Sequence, residues 1–282
     1  MATILDTLKK GTEYLQKYEI DEARLSMEHL IAHVLKIDRM QLYLDFDRPL
    51  TEENLTSLRE LTKRRSRGEP LQHLLGTVEF HGLEFKTDHR ALVPRPETEE
   101  LADLPLTRTD FHPQSILDLG CGSGVLGLTL FSKLRPPPGK TLLADVSPEA
   151  LSLAKENGEA LGADESVSYV ESDLFTEIDA SFDLIVANLP YIPNSEATQL
   201  SREVQQDPAL ALYGGESGTE IVERALGEAL SHLHPGGLIA LELGIDQAPA
   251  LKVLAEDLGY FPAESVKDLS GIERFLFATK PA

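Results

Sequence analysis

The spacing of apolar side chains predicts helices along residues 1–75. Between residues 22 and 36, apolar positions recur every three or four residues, which places them on one face of a helix. A second helical run starts at Thr51, a residue type that favours helix starts, and ends at Gly68. We therefore predict a helical domain over residues 1–75.

The pattern changes at residues 76–93 to short alternating stretches. Apolar and aromatic runs lie on either side of His81-Gly82, an arrangement typical of a β-hairpin, here predicted to link two domains. The next stretch, PRPETEE, begins at Pro94 and favours a helix start, because prolines and acidic residues suit the first turn. Glu97 in this stretch is expected either to face a binding pocket or to cap the start of the helix.

Residues 94–282 form the third predicted part, in which strand-like and helix-like segments alternate. The strand-like segments are SILDL, TLLADV, VSYVES, FDLIVANLP, GLIALELG and RFLFATK. This alternation predicts an α/β domain, a parallel sheet with helices on both faces. The last two strand candidates, around 264–266 and 274–279, lie too close together for a helical crossover. We expect them to pair as an antiparallel hairpin at the edge of the sheet.

The composition favours a protein of the reducing cytoplasm. No run approaches the roughly eighteen apolar residues that a membrane span needs, and the stretch MATILDTLKKGTEYL lacks the apolar core of a secretory signal. The single cysteine, Cys121, excludes an internal disulfide framework and a cysteine-based zinc cage. The histidines show no ligand spacing, so we predict no metal site.

The charge balance argues against nucleic acid as a direct partner. The chain has 26 Lys and Arg against 47 Asp and Glu, a net charge of -21. Such a surface repels phosphate backbones at long range. A basic cluster between Arg59 and Arg67 departs from this balance. It suits either a solvated helix end, whose cations favour the macrodipole, or a docking patch for a partner.

A glycine-rich loop at residues 118–127 follows the segment SILDL. Its alternate glycines let the backbone turn tightly and approach a ligand closely. The next strand-like segment ends near Asp145, where a carboxylate can accept hydrogen bonds from ribose hydroxyls. Because Gly122-x-Gly124-x-x-Gly127 also fits a dinucleotide site, a nicotinamide cofactor and S-adenosylmethionine are both open from this pattern.

Two further carboxylates favour S-adenosylmethionine and therefore methyl transfer over hydride transfer. Asp118 stands directly before the glycines, where it suits a cationic amino-acid group and would lie badly beside a pyrophosphate. Asp173 ends the third strand-like segment, where it suits an adenine amino group; a simple turn residue is the alternative there.

The stretch Asn188-Leu189-Pro190-Tyr191 brings an amide and an aromatic ring to the end of a buried strand. An amide nitrogen is a poor nucleophile, so a site that methylates it must hold both of its N–H groups. The Asn188 oxygen can accept one hydrogen and the Leu189 carbonyl the other, while Pro190 fixes the backbone. Tyr191 is expected to form a flat wall beside the amide and near the sulfonium charge. An ordinary strand-ending turn is the alternative.

With these residues in place, the chain resembles the HemK family, methyltransferases that modify the glutamine of the GGQ motif in peptide chain release factors. The resemblance covers almost the whole chain, and its most discriminating parts are GEPLQ and PRPETE. Its other anchors are TVEFHGLEF, ILDLGCGSGVLGL, NLPYIP, ALYGGESG and LELGIDQ. The resemblance implies an N-terminal helical domain that binds the release factor. It also implies a class I S-adenosylmethionine-dependent methyltransferase domain, Rossmann-like, with seven strands.

The resemblance and the carboxylates together give a set of site residues. The predicted cofactor-binding residues are Asp118, Gly120, Cys121, Gly122, Ser123, Gly124, Asp145, Asp173, Leu174 and Asn188. Cys121 is interpreted as a small spacer in the loop. The residues predicted to bind the substrate glutamine and to act in catalysis are Asn188, Leu189, Pro190 and Tyr191.

One position departs from the pattern of the family, which usually has Asn-Pro-Pro-Tyr where this chain has Leu189. The backbone carbonyl survives the change, but the loop loses rigidity at a cost of about 0.4–1 kcal/mol. Asn-Leu-Pro-Tyr also resembles methyltransferases that dimethylate adenine in ribosomal RNA. Adenine-N6 methylation of RNA or DNA is therefore the main alternative function. A non-catalytic cofactor-binding scaffold is the third hypothesis, and a dehydrogenase is the fourth.

Overall fold

The computed structural model describes residues 2–107, 111–163 and 165–282. They form two compact units. The first unit comprises Met1–Thr77 and Ser201–Gln206, and the second comprises Val78–Leu200 and Asp207–Ala282.

The first unit is helical, as the sequence pattern predicts. Its helices are α1 (Ile4–Lys17), α2 (Ala23–Leu35), α3 (Glu52–Arg65) and α4 (Leu71–Leu75). The Thr3 and Thr51 hydroxyls accept hydrogen bonds from backbone N–H groups in the first turns of α1 and α3, which caps both helices. Leu8 of α1 and Leu30 of α2 are buried in the core of this unit, because the apolar positions of each helix lie on one face.

A short segment from far along the chain, Ser201–Gln206, completes the first unit. The sequence pattern assigns this segment to the α/β domain. The Arg65 guanidinium, which is 4% exposed, donates a hydrogen bond of 2.8 Å to Glu203 and one of 3.0 Å to the Glu69 carbonyl. Arg65 therefore fits neither interpretation of the basic cluster. It is buried and paired, so it is neither part of a solvated helix end nor available to a docking partner. Its neighbour Arg64 pairs with Glu69 near the surface.

The second unit is built around a seven-stranded sheet, as predicted. The strands of the described chain are β1 (Thr77–Phe80), β2 (Leu83–Lys86), β3 (Ser115–Leu119), β4 (Lys140–Asp145), β5 (Val167–Glu171), β6 (Phe182–Asn188), β7 (Ile192–Pro193), β8 (Tyr213–Gly215), β9 (Leu233–Glu242), β10 (Ala263–Lys267) and β11 (Glu273–Thr279). The order in the large sheet is β10-β11-β9-β6-β3-β4-β5. Its five strands from β9 to β5 are parallel, and β10 and β11 form the predicted antiparallel edge hairpin.

Helices cover both faces of this sheet. They are α5 (Pro96–Thr107), α6 (Val125–Lys133), α7 (Pro148–Ala160), α8 (Glu220–Ala229) and α9 (Ala248–Leu258). Apolar side chains of α8 and α9 share a core with one face of the sheet, and those of α5, α6 and α7 share a core with the other. The central strand β6 is buried between the two cores, because the apolar run Leu184 to Ala187 needs cover on both sides.

The hairpin of β1 and β2 packs with the second unit from Val78 onward. Phe80 and Phe85 meet edge to face in the core beneath α5 and α6, with ring centroids 6.1 Å apart. The buried Asn157 side chain accepts a hydrogen bond from the Lys86 N–H and donates one to the Lys86 carbonyl. It also donates to the Ser123 carbonyl, so one side chain ties the hairpin and the glycine loop to α7.

Replacing Arg65 should destabilise the first unit far more than replacing its neighbour Arg64. Arg65→Ala leaves the Glu203 carboxylate without its partner in a mostly buried place, a cost of about 1–3 kcal/mol in the free energy of unfolding. Arg64→Ala, which removes a partly exposed ion pair, should cost less than about 1 kcal/mol. Urea denaturation followed by circular dichroism measures both. Equal losses in the two variants would contradict a structural role for the Arg65–Glu203 pair.

Candidate active site

A cavity of about 350 Å³ opens at the carboxyl ends of the parallel strands. This edge of an α/β sheet is where such folds bind ligands, and the volume is in the range of small-molecule sites. The predicted site residues that line the cavity are Asp118, Gly120, Cys121, Gly122, Ser123, Asp145, Asp173, Leu174, Asn188, Leu189 and Pro190. Gly124 and Tyr191 do not line it. The fold therefore brings most of the site residues that were predicted from the sequence to one cavity.

The glycine loop has a backbone that only glycine adopts readily. Gly120 and Gly122 have φ of +70° and +55°, in the left-handed region. A Cβ on Gly120 would also lie 2.8 Å from the Leu189 side chain. Gly124, at φ +83°, serves packing instead, since a Cβ there would lie 2.9 Å from Leu143 of β4. Cys121 lies buried in the loop, and burial raises the pKa of its thiol well above the usual value, which fits the predicted spacer.

Asp118 is a buried carboxylate at the end of β3. Its Oδ2 accepts a hydrogen bond of 2.7 Å from the Gly127 N–H, whereas its Oδ1 has no hydrogen-bond partner among the described residues. Burial raises the pKa of Asp118 to about 7, and the nearby Asp145 adds to the increase. A buried carboxylate oxygen without a partner, in the wall of a cavity, suits a cationic ligand group such as an ammonium.

Asp145 is held by backbone donors on both sides. Its Oδ2 accepts a hydrogen bond of 2.8 Å from Gly122, and its Oδ1 accepts one of 2.9 Å from Ser147. Each oxygen keeps a second lone pair, so the carboxylate can accept from two adjacent hydroxyls. Burial raises its pKa despite these donors. The geometry suits the diol of a ribose.

Asp173 and Leu174 lie on the far side of the cavity, after β5. Asp173 forms an ion pair of 3.2 Å with Arg224 of α8, and both side chains are more than half exposed. The sequence pattern does not identify Arg224, because the partners are distant in the chain. Leu174 has a φ of +50°, rare for a residue with a side chain. Its carbonyl accepts a hydrogen bond from the Ser172 hydroxyl, which holds this conformation.

Asn188, at the end of β6, belongs to a hydrogen-bonded chain that the sequence pattern does not identify. Its Nδ2 donates to the Thr98 hydroxyl at 3.0 Å, and that hydroxyl donates to Glu242 Oε2 at 2.7 Å. Thr98 comes from the first turns of α5 and Glu242 from the end of β9. Glu242 is 1% exposed, and burial raises its pKa to about 7. The signal in the sequence was a lone acid in the apolar segment GLIALELG.

The residues after Asn188 are fixed by several contacts. The Leu189 side chain is buried in the core above the sheet. The Tyr191 hydroxyl lies 3.5 Å from Glu242 Oε1, and the Tyr191 carbonyl accepts a hydrogen bond of 3.0 Å from Gln247. Tyr191 is half-buried and does not line the cavity, so its role as a wall for the substrate stays a prediction.

The loop that follows is anchored by an ion pair. Arg95, which lines the cavity, donates a hydrogen bond of 2.7 Å to the buried Asp207 carboxylate. The second oxygen of Asp207 accepts from the Val93 N–H at 3.2 Å. These two hydrogen bonds therefore fix Asp207 to the chain around Arg95, beside the cavity.

No helix in the described part of the chain is long and apolar enough to span a membrane. Among the same residues, no group of three His, Cys, Asp or Glu side chains has the arrangement of a metal site.

Comparison with known proteins supports the two-part organisation. Residues 6–76 match the model of the PrmC N-terminal domain, and residues 101–215 match that of the methyltransferase small domain. The release factor glutamine methyltransferase of Geobacter sulfurreducens is 38% identical over 274 residues, which cover 96% of this chain and 95% of that protein. The enzyme of the same description from Rhodopirellula baltica is 36% identical over 287 residues, covering 99% and 96%.

A solved structure shares the fold of the second unit. The T. thermophilus 16S rRNA N2 G1207 methyltransferase (RsmC), solved in complex with AdoMet and guanosine, matches with a TM-score of 0.52 at 20% identity. The match covers 72% of this chain and 49% of that one. The second unit therefore has the class I methyltransferase fold.

Replacing Gly120 should destabilise the protein, whereas the same replacement at Gly227 should not. Gly120→Ala forces a side chain into the left-handed region and towards Leu189, a cost of about 1–3 kcal/mol. Gly227 lies in α8, and a Cβ added there would meet no atom outside the helix's own backbone within 4 Å, so Gly227→Ala should stabilise by about 0.5–1 kcal/mol. Thermal unfolding of both variants measures the difference, and a stable Gly120→Ala protein would contradict the strained loop.

The raised pKa of Asp118 predicts a pH dependence of stability. The pKa of this carboxyl is about 7 in the folded state and 3.8 in the unfolded state. Its contribution to the free energy of unfolding is therefore complete only at pH values below 3.8. Its contribution is lost as the pH rises from 3.8 to about 7, because in this range the unfolded state has released the proton that the folded state still binds.

In the cofactor-free protein, the stability of the wild type relative to Asp118→Asn should therefore fall between pH 4 and pH 7. Urea denaturation at several pH values measures this difference, with the exposed Asp173→Asn as the control. A difference independent of pH would contradict a raised pKa.

Proposed function

Because this chain belongs to the release factor glutamine methyltransferase family, we propose that it methylates the GGQ glutamine of peptide chain release factors. The methyl group comes from S-adenosylmethionine and is transferred to the side-chain amide nitrogen. The family assignment rests on relatives 36% and 38% identical over nearly the full chain. The observation that carries the proposal is the Asn188 side chain at the cavity. Its nitrogen is committed to Thr98, so its oxygen is left to accept from a substrate amide.

The cavity fits S-adenosylmethionine. The unpartnered oxygen of Asp118 suits the ammonium of the amino-acid part, and the Asp145 carboxylate suits the ribose hydroxyls. The backbone at Gly120 and Gly122 allows close approach, and the wall at Asp173 and Leu174 is the proposed place of the adenine. When bound, the cofactor supplies an electrophilic methyl group on a sulfonium.

The residues of the chain then act by orientation. The Asn188 oxygen and the Leu189 carbonyl each accept one N–H of the glutamine amide, which aims the nitrogen at the methyl group. The cofactor, when bound, would supply the methyl group to this nitrogen, and the nitrogen would lose one of its N–H protons as it gains the methyl group. No strong base is needed, since the proton becomes acidic once the nitrogen is alkylated. Positioning and exclusion of water therefore provide most of the rate gain.

Adenine-N6 methylation is the second candidate function, and Leu189 is the observation that favours it. The same acceptor pair could hold the amino group of an adenine, which is planar like an amide and carries two N–H groups. The net charge of -21 opposes it, because a phosphate backbone would have to approach an acidic protein.

We also propose that the helical first unit binds the release factor and that the enzyme works in the cytoplasm. The match to the PrmC N-terminal domain over residues 6–76 supports a substrate-recognition role for this unit. The single cysteine supports a reducing compartment.

The test offers labelled S-adenosylmethionine with purified release factor, ribosomal RNA and DNA in parallel. We expect label in the release factor and none in a release factor whose GGQ glutamine is replaced by alanine. Asn188→Ala should lower kcat about 100-fold or more, since it removes one of two acceptors that orient the nitrogen. Label in RNA or DNA instead, with steep salt dependence, would replace the proposal with adenine methylation.

A further inference from the structure

Three side chains connect the core of the second unit to the cavity. Asn188 and Glu242 lie opposite each other in the parallel pairing of β6 and β9. Thr98 of α5 lies between their polar ends, 3.0 Å from the Asn188 nitrogen and 2.7 Å from a Glu242 oxygen. Thr98 lines the cavity, and Glu242 lies behind it. Of these three side chains, only that of Asn188 takes a direct part in the reaction described above.

The direction of these hydrogen bonds is set by Glu242. An ionised carboxylate can only accept, so the single hydrogen of the Thr98 hydroxyl must point to it. The Thr98 oxygen then has only lone pairs to offer Asn188, and the Asn188 amide must turn its NH2 group towards Thr98. The amide oxygen is left for the substrate. With the amide flipped, two oxygens would face each other at 3.0 Å and the substrate would meet a donor instead of an acceptor.

We propose that Thr98 and Glu242 are positioning residues that hold the Asn188 side-chain amide in the orientation that presents its oxygen to the substrate nitrogen. The proposal rests on the proposed function, because it concerns how the acceptor amide is held. It differs from a purely structural role, since a packing contact would not distinguish the two ends of an amide that have nearly the same shape.

The proton on Glu242 controls the direction of the chain. A protonated Glu242 can donate to the Thr98 oxygen, and the Thr98 hydrogen is then free to turn to Asn188 and to stabilise the flipped amide. The pKa of Glu242 is raised to about 7, mainly by burial, and the neighbouring Glu97 contributes to the increase. Arg274 and the hydroxyls of Thr98 and Tyr191 act in the opposite direction. We therefore expect kcat to rise with pH through about 7.

The experiment compares Thr98→Val with Thr98→Ser under the assay of the proposed function. Valine keeps the shape without the hydroxyl, so kcat should fall about tenfold or more, while the Kd for S-adenosylmethionine measured by calorimetry stays unchanged. Serine keeps the hydroxyl and should restore most of kcat. In an Asn188→Ala background, Thr98→Val should have no further effect, because its target is gone. Equal losses in the serine and valine variants, or additive losses with Asn188→Ala, would overturn the proposal.

Glu242→Gln tests the carboxylate itself. The glutamine can donate as well as accept, so kcat should fall and the rise of kcat through about pH 7 should disappear. A variant that keeps the wild-type pH profile would show that Glu242 does not set the direction of the chain.

A readout without turnover separates this proposal from the proposed function. In protein labelled with 15N-asparagine, the Asn188 side-chain NH2 signals, identified by their loss in Asn188→Ala, should show slow hydrogen exchange. They should lose this protection in Thr98→Val and, in the wild type, below pH 7. If no methyl transfer to release factors occurs but this protection is found, the proposed function fails and the positioning role stands. If methylation occurs without the protection, the positioning role fails alone.

Discussion

The site depends on the parallel register of three neighbouring strands, which brings polar side chains to one edge of an apolar sheet. Asp118 is the last residue but one of β3, and Asn188 and Glu242 pair across β6 and β9. These three polar side chains are surrounded largely by apolar residues. Each therefore needs a hydrogen-bond partner from the protein or from a ligand. One Asp118 oxygen has no hydrogen-bond partner within the described part of the chain, whereas Glu242 has partners for both of its oxygens. The same constraint thus places the carboxylate that we propose to bind a ligand on one strand and the carboxylate that we propose to position Asn188 two strands away.

The glycine loop and the substrate stretch are parts of one packed structure. The Leu189 side chain lies directly over Gly120, where any Cβ would approach it to 2.8 Å. The loop that is proposed to face the cofactor is therefore packed against the residue whose carbonyl is proposed to hold the substrate amide. The backbone after Asn188 is also tied by Gln247, which donates to the Tyr191 carbonyl and accepts from the Gly244 N–H. Preorganisation of this kind lowers the cost of ordering the site on binding.

The sequence predicts what depends on local pattern. The helices of the first unit, the parallel sheet and its antiparallel edge follow from spacing and connection lengths, and the glycine loop follows from residue type. The roles of Thr98, Glu242 and Arg224 depend on partners distant in the chain, 144 positions away for Thr98 and Glu242. No local pattern contains such a pairing. The membership of Ser201–Gln206 in the first unit is missed for the same reason, because its contacts with that unit, such as Arg65–Glu203, join residues far apart in the chain.

Leu189 shows how a departure from a family pattern can be accommodated by the rest of the fold. A proline at this position would stiffen the backbone, and its loss leaves a more flexible unfolded chain. In exchange, the leucine side chain enters the core above the sheet, where it is 3% exposed and contacts the cofactor loop. Burial of a leucine contributes about 1.5–3 kcal/mol, more than the 0.4–1 kcal/mol that backbone flexibility costs. The stretch can thus hold its geometry by packing where proline would hold it by covalent constraint, and the carbonyl that is proposed to accept the substrate amide is kept in either case.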